Sequence, residues 1–110
     1  GEITIEQIRA KYVKTIDDAK LCFKENIIPV MIDESADIIK QVQPKVLVDA
    51  ILAKRNLGTS RGMADITIAL GPGFRAGEDV DAVVETMRGH NLGRIIYDGQ
   101  VILEVLQKNE

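Results

Sequence analysis

One stretch, residues 66–98, constrains the fold of this chain more than any other. Its sequence, ITIALGPGFRAGEDVDAVVETMRGHNLGRIIYD, starts with an apolar run that leads into a Gly-Pro-Gly loop. Residues 79–88 are predicted to form a helix, because four of their apolar residues share one helical face. These four are Val80, Val83, Val84 and Met87. A strand, a loop, a helix and a second strand in this order are typical of α/β proteins.

The residues before this stretch predict short strands that alternate with short helices. The opening residues alternate apolar and polar side chains, which indicates one or two antiparallel strands at a sheet edge. Thr15 and Asp18 form a capping-box pattern before a helix expected over about residues 17–25. Ser35 is expected to cap a second short helix, which ends at Pro44.

The apolar runs predict the remaining strands. They cover residues 27–32, 46–48, 66–70 and 94–97, and a last strand follows the Asp98-Gly99 turn through Val101, Leu103 and Val105. Strands and helices in this rhythm favour parallel pairing with right-handed crossovers. We therefore predict a single α/β domain over residues 1–110, with a Rossmann-like, mostly parallel small sheet, flanking short helices, and antiparallel strands at both ends.

Charge and cysteine content exclude several classes of function. The chain has 14 Lys and Arg against 17 Asp and Glu, with two Phe, two Tyr and no Trp. The chain has no surplus of basic residues and few aromatic residues that could stack on bases, so we expect no nucleic acid as a partner. Cys22 is the single cysteine, which excludes an internal disulfide and a cysteine-based zinc site, so we expect no metal site and a cytoplasmic location. No run has the length of a membrane helix, and the start at Gly1-Glu2 suggests a fragment of a longer protein.

A polar cluster and the Gly-Pro-Gly loop are the main candidates for a binding site. Lys54, Arg55 and Asn56 follow a buried run, and Gly71 to Phe74 follow the next strand along the chain. If these strands are neighbours, both loops lie at the carboxyl edge of the sheet, where α/β proteins bind ligands. Arg binds carboxylate and phosphate bidentately. The alternatives are a solvated loop for the first segment and a tight turn for the second.

Two features count against a phosphate cradle at the Gly-Pro-Gly loop. The loop matches neither G-x-G-x-x-G nor a Walker motif. Glu78 and Asp79 are expected in the first turn of the following helix, where they would occupy its positive end and repel a phosphate. The loop is therefore expected to shape a pocket, while the Lys54 to Asn56 cluster supplies the positive charge.

Three further residues, Asp49, Arg88 and His90, complete the predicted site. His90, after Arg88 and Gly89, is expected at the end of a helix, where it is either a cap or the best candidate for an acid or base. Asp49 lies within an apolar run, and its burial would require a partner, for which Lys54 or Arg55 is expected.

Two segments, VDAILAKRNLGT and LGPGFRAGEDVDAVVETMRGHNLGRIIYDG, resemble the YqeB family of selenium-dependent molybdenum hydroxylase system proteins. The resemblance is strong over about the last two-thirds of the chain. Proteins of this family are longer and begin with a Gly-rich, Rossmann-like segment, so the resemblance also implies a fragment that lacks that segment.

The resemblance implies a cytoplasmic accessory protein for the maturation of selenium-dependent molybdenum hydroxylases. It implies a client hydroxylase as partner and molybdenum cofactor, or a phosphate-bearing precursor, as ligand. No covalently bound cofactor is expected, and a homo-oligomer is compatible with the sequence. The alternatives are an enzyme of selenium or sulfur transfer that uses His90, and a docking module that contacts the client through Phe74 and the Arg61 loop. The expected ligand-binding residues are Asp49, Lys54, Arg55, Asn56, Gly71, Gly73, Phe74, Arg88 and His90.

Overall fold

A computed structural model describes residues 1–97 of the chain and shows a mixed α/β protein with two sheets. The helices are α1 (Ile16–Lys24) and α2 (Ile38–Val42), with a 3-10 helix at Arg61–Met63. The strands are β1 (Glu2–Ile5), β2 (Ile8–Tyr12), β3 (Ile28–Val30), β4 (Val46–Asp49), β5 (Ile66–Leu70), β6 (Ala82–Val84) and β7 (Ile95–Ile96). The predicted turn at Asp98-Gly99 and the strand through Val101, Leu103 and Val105 lie outside the described residues.

The chain separates into two compact units, Gly1–Ile38 and Ile39–Glu110. The first unit holds β1, β2, α1 and β3, and the second holds β4 to β7. The organisation as a single domain stays a prediction. None of the helices within residues 1–97 has both the length and the apolar character needed to cross a membrane.

In the first unit, α1 connects two parallel strands. β1 pairs with β2 in an antiparallel hairpin, and β2 pairs with β3 in parallel. α1 begins as the sequence predicts, because the Thr15 hydroxyl accepts a hydrogen bond of 3.1 Å from the Asp18 N–H. The core of this unit consists of Val13, Ala19, Cys22 and Ile27.

The short helix α2 is capped by a different residue from the one predicted. The N–H of Ile38 donates a hydrogen bond of 2.8 Å to Oδ2 of Asp33. Asp33, rather than Ser35, therefore satisfies the first turn of α2, because its carboxylate accepts a hydrogen bond from the exposed end of the helix more strongly than a hydroxyl does.

The second unit contains a four-stranded sheet in the order β4-β5-β6-β7. β4, β5 and β6 run parallel, and β7 pairs antiparallel with β6. Its buried core consists of Ala69, Val80 and Val83, and three partly buried apolar residues pack against it: Phe74, Ala76 and Ile96. β5 has the predicted bounds, Ile66–Leu70.

The helix predicted over residues 79–88 is wrong. A tight turn over residues 76–80 leads into β6 instead, with the Gly77 N–H donating to the Val80 carbonyl at 2.7 Å. Val83 and Val84 are β-branched, and such side chains pack well on a pleated sheet and lose rotamer freedom in a helix. Pairing of Val83 with Ala69 places it in the core, so tertiary contacts outweigh the helical spacing.

The structure confirms the α/β class and the antiparallel β1–β2 hairpin at the N-terminal end. It does not confirm a Rossmann-like, mostly parallel sheet, because the strands within residues 1–97 form two separate sheets, in which β2–β3, β4–β5 and β5–β6 are the parallel pairs.

Candidate functional site

The carboxyl edge of β4, β5 and β6 brings together the loops that the sequence singles out. These three strands are parallel neighbours, so the segments that follow them start at the same edge. The segment after β4 carries Lys54, Arg55 and Asn56, and the segment after β5 carries Gly71 and Gly73. The predicted proximity of these two loops is therefore present in the structure.

Gly73 and Arg55 make a close backbone contact between the two loops. A Cβ atom on Gly73 would lie 2.6 Å from Cα, 2.9 Å from C and 3.1 Å from N of Arg55. Only a residue without a side chain fits at this distance from another backbone. Gly73 also has a φ of +94°, which L residues with a side chain rarely adopt. The Gly-Pro-Gly loop therefore holds the backbone of Arg55 at the carboxyl edge.

Gly71 connects all three segments at this edge. A Cβ atom there would lie 3.3 Å from Oγ1 of Thr86, which follows β6, and 3.4 Å from Cδ2 of Leu52, which follows β4. Its N–H donates to the Val84 carbonyl at 3.1 Å, which continues the pairing of β5 with β6. The segments after β4, β5 and β6 thus converge on Gly71.

Asn56 gives the loop after β4 a defined shape. Its side-chain Oδ1 accepts hydrogen bonds from the N–H groups of Gly58, at 2.9 Å, and Thr59, at 2.8 Å. Its Nδ2 donates to the Thr59 carbonyl at 2.8 Å. The Asn56 amide therefore organises the loop internally, and its contact with a ligand stays a prediction.

Asp49 is buried at the end of β4, with 6% of its surface exposed. Its Oδ2 accepts a hydrogen bond of 2.7 Å from the Thr59 hydroxyl, and its Oδ1 accepts one of 3.1 Å from the Ile51 N–H. The expected partner, Lys54 or Arg55, is wrong. The loop after β4 folds back and brings Thr59 next to the end of the strand, where its hydroxyl binds the Asp49 carboxylate. This hydrogen bond attaches the loop to β4.

Lys54 and Arg55 remain as exposed cations at this edge. Within residues 1–97, neither side chain forms an ion pair, whereas Arg61 pairs with Asp81. The carboxylate of Asp49 accepts its hydrogen bonds from Ile51 and Thr59, and within residues 1–97 it forms no ion pair with either cation.

The opposite end of the same strands holds a separate polar network around Asp81. Arg61 Nε donates to Oδ1 of Asp81 at 2.8 Å, and Arg61 Nη1 donates to the Gly77 carbonyl at 2.7 Å. The N–H and hydroxyl of Thr67, which has no exposed surface, donate to Oδ2 of Asp81 at 2.8 and 3.1 Å. This network anchors the 3-10 helix to the start of β5.

The same contacts shift the pKa of Asp81. The hydrogen bond from the Thr67 backbone N–H lowers the pKa below its ordinary value of 3.8, and the hydrogen bond and charge of Arg61 lower it further, while desolvation opposes them. The lowered pKa keeps the Asp81 carboxylate ionised, and its ion pair holds the half-exposed Arg61 side chain in place.

Phe74 lies against the core of the second unit. It packs on the cluster formed by Ala69, Val80 and Val83. Phe74 is partly buried against the core and Arg61 is bound to Asp81, so the two residues expected to dock a client enzyme both make internal contacts.

Arg88 and His90 lie in the exposed connection between β6 and β7. The expected position of His90 at a helix end is wrong, because β6 and a turn replace that helix. Within residues 1–97, the imidazole has no hydrogen-bonding partner that would set its orientation. In the described part of the chain, neither Arg88 nor His90 forms a hydrogen bond or an ion pair with the two loops.

The absence of the helix also changes the roles of Glu78 and Asp79. Oδ2 of Asp79 accepts a hydrogen bond of 2.9 Å from the Arg75 N–H and closes the turn before β6. Glu78 forms an exposed ion pair of 3.8 Å with Arg75. The expected competition between these carboxylates and a phosphate for a helix end is therefore wrong.

Across residues 1–97, no three side chains among His, Cys, Asp and Glu lie close enough together to hold a metal ion. Cys22 is buried in the core of the first unit.

Thr59 and Thr86 are site residues that the sequence does not single out for a role. The pattern Asn-x-Gly-Thr carries a signal for Thr59, because Asn side chains bond to N–H groups two and three residues ahead. Thr86 has no such signal, since its place depends on β6 replacing a helix.

Comparison with known proteins gives one informative relative. The chain is 48% identical over 99 residues to a protein of Escherichia coli K12 named "Uncharacterized protein YqeB". The match covers 90% of this chain and 18% of the relative, so the chain spans about a fifth of that protein's length. No family model and no solved structure matches the chain. The chain is therefore similar to one segment of this YqeB protein.

Proposed function

We propose, on the premise of this similarity to a YqeB protein, that the carboxyl edge of β4 to β6 binds an anionic ligand through phosphate or carboxylate. Lys54 and Arg55 would supply the positive charge, and the loop from Gly71 to Gly73 would form the floor beneath the ligand. The function is binding, without an assigned reaction. Asp49 would act indirectly, by holding Thr59 and thus the loop that carries both cations.

The backbone contact between Gly73 and Arg55 carries this proposal. Two loops from neighbouring strands approach so closely that a Cβ on Gly73 would lie 2.6 Å from the Arg55 Cα. A connecting loop alone does not require so close an approach. The contact fixes where the Arg55 side chain starts, and a fixed start reduces the entropy that the side chain loses when it binds.

The charge at this edge supports an anion over a neutral ligand. Lys54 and Arg55 are exposed and have no carboxylate partner within residues 1–97. A guanidinium presents two parallel N–H donors that match phosphate or carboxylate, and the neighbouring ammonium adds a mobile charge. Binding between exposed charges weakens as salt rises, so the affinity should fall with ionic strength.

The proposed ligand is molybdenum cofactor or a phosphate-bearing precursor, in a cytoplasmic accessory protein that serves selenium-dependent molybdenum hydroxylases. This pathway is proposed from the two segments that resemble the YqeB family; the 48% identity to the E. coli protein supports that resemblance, and the name of that protein gives no function. Lys54 and Arg55 fit the phosphate of such a ligand. When bound, the cofactor would supply the metal centre for the client enzyme, and this chain would hold its phosphate.

Calorimetric titration at low salt tests the binding proposal. The probes are inorganic pyrophosphate, a phosphorylated pterin and a nucleoside diphosphate. We expect the parent chain to bind at least one of them, and Arg55→Ala to weaken that binding about tenfold to 100-fold, because hydrogen bonds to charged groups contribute about 1.5–3 kcal/mol.

Arg75→Ala is the matched control for charge. Arg75 is also an exposed arginine after β5, but it pairs with Glu78 at 3.8 Å and lies in the turn before β6. Arg75→Ala removes the same charge as Arg55→Ala. Because Arg75 lies outside the proposed contacts, this variant should bind within about twofold of the parent's affinity. Equal binding of every probe by parent and Arg55→Ala would refute the site, as would an equal loss in both variants.

A further inference from the structure

Thr86 presents a hydroxyl group at the point where the three segments of the carboxyl edge converge. Its Oγ1 lies 3.3 Å from the position that a Cβ atom on Gly71 would take. Thr86 is partly buried, and within residues 1–97 its hydroxyl has no hydrogen-bonding partner. A hydroxyl both donates and accepts hydrogen bonds. The Thr86 side chain is therefore available to bind a polar group that lies over Gly71.

Leu52 places a methyl group beside the same point. Its Cδ2 lies 3.4 Å from the Cβ position on Gly71, and 58% of the residue's surface is exposed. The backbone of Leu52 has a φ of +60°, which is unfavourable for a bulky side chain. Among the non-glycine residues in 1–97 that have a positive φ, it is the only one with a branched apolar side chain. Backbone strain of this kind is concentrated at binding and active sites.

The carboxyl edge therefore has two chemically different parts. At one, Arg55 supplies positive charge and its backbone contacts Gly73. At the other, Thr86 and Leu52 supply a neutral hydroxyl and a methyl group beside Gly71. The two glycines are two residues apart, and two residues of chain span at most about 7 Å. One small molecule is therefore able to contact both parts.

We infer that the ligand of this edge is an organic phosphate, and that its neutral part forms a hydrogen bond with the Thr86 hydroxyl. This inference rests on the proposed anion site at Lys54 and Arg55, and it adds a second contact and the class of ligand. A hydroxyl beside a methyl group fits an uncharged polar group, such as a carbonyl, an amide or a sugar hydroxyl. A second phosphate would be bound more strongly by another cation, which this part of the edge lacks within residues 1–97.

Calorimetric titration of two Thr86 variants tests this contact. The probes are inorganic pyrophosphate, which has no organic part, and two organic phosphates, the phosphorylated pterin and the nucleoside diphosphate. Thr86→Val replaces the hydroxyl with a methyl group of similar size and keeps the β-branched shape. Thr86→Ser is the matched control, because it keeps the hydroxyl. Circular dichroism checks that each variant folds, and Thr86→Ala replaces Thr86→Val if the latter does not.

The two classes of probe should respond differently. Thr86→Val should weaken binding of the organic phosphate by about threefold to tenfold, as the loss of one neutral hydrogen bond does. Its affinity for pyrophosphate should stay within about twofold of the parent's, because groups that share no contact act independently. Thr86→Ser should bind each probe within about twofold of the parent's affinity, since it retains the hydrogen-bonding group.

Three results would overturn the inference. Binding of the organic phosphates by Thr86→Val at the parent's affinity would exclude the hydrogen bond. Equal weakening of pyrophosphate and the organic phosphates would show that the substitution acts on the anion site itself. A parent chain that binds pyrophosphate but neither organic phosphate would exclude the class of ligand. In each case, loss of pyrophosphate binding in Arg55→Ala would still support the proposed anion site, whereas a parent that binds no probe refutes both.

Discussion

Replacing Gly73 with alanine should separate the two loops of the proposed site. Gly73→Ala adds two costs to the folded state. Alanine at a φ of +94° is strained by about 1–2 kcal/mol, and its Cβ would lie 2.6 Å from the Arg55 Cα, so the loops must move apart. Forcing a methyl group into a packed contact costs about 1–3 kcal/mol more. We expect a total loss of about 2–5 kcal/mol in the free energy of unfolding.

Gly93→Ala isolates the backbone strain from the contact. Gly93 has a φ of +83°, and no atom lies within 4 Å of the position of its Cβ. This variant should lose only about 1–2 kcal/mol, since it carries the strain without the collision. Urea unfolding followed by circular dichroism measures both values. Equal losses in Gly73→Ala and Gly93→Ala would refute the contact between Gly73 and Arg55.

Three further substitutions test other contacts of the structure. Thr59→Val should lower the free energy of unfolding by about 1–3 kcal/mol, because it leaves an oxygen of the buried Asp49 without its hydroxyl donor. Thr59→Ser keeps a hydroxyl and should retain most of the free energy of unfolding of the parent. Equal losses in the two variants would contradict the hydrogen bond. Asp81→Asn should lower the urea midpoint at pH 7. Since folding depresses the pKa of Asp81, the stabilisation is present above the ordinary pKa of 3.8 and is lost as pH falls through the lower folded value. The difference in urea midpoint between the parent and Asp81→Asn should therefore shrink as the pH falls. A difference that stays constant with pH would contradict a stabilising role of the ionised Asp81. Thr15→Ala should cost about 1 kcal/mol through loss of the α1 cap, while Thr15→Ser costs less, as helix content on urea titration would report.

Elements with local signals were predictable from the sequence. Thr15 and Asp18 are three residues apart, so the cap of α1 depends on neighbours in the chain. β5 is a continuous apolar run followed by Gly-Pro-Gly, and its bounds were predicted correctly. The proximity of Arg55 and Gly73 also followed from a general property, because neighbouring parallel strands end at one edge.

Elements that depend on distant contacts were not predictable in the same way. The spacing of Val80, Val83 and Val84 fits a helix, yet the segment pairs with β5 and Asp81 binds Thr67, 14 residues earlier. A sequence pattern contains no information about such a partner. The same error placed His90 at a helix end.

The hydroxyl partner of Asp49 shows the same limit within the site. Burial of the carboxylate was expected from its apolar neighbours, but Thr59, ten residues ahead, supplies the hydrogen bond. Two cations were closer in sequence. The conformation of the loop determines which side chain lies next to the Asp49 carboxylate, and that conformation depends on the hydrogen bonds of Asn56.

Nuclear magnetic resonance shows which residues an anion binds, and is therefore the most direct test of the proposed anion site at the carboxyl edge of β4 to β6. Inorganic pyrophosphate is titrated into the ¹⁵N-labelled chain at low salt, and amide shifts are followed residue by residue. We expect saturable shifts in the amides of Lys54, Arg55 and Gly73, with little change at Asp79 in the turn before β6. Shifts that do not saturate, or that appear at Asp79 as strongly as at Arg55, would contradict a built anion site at the carboxyl edge.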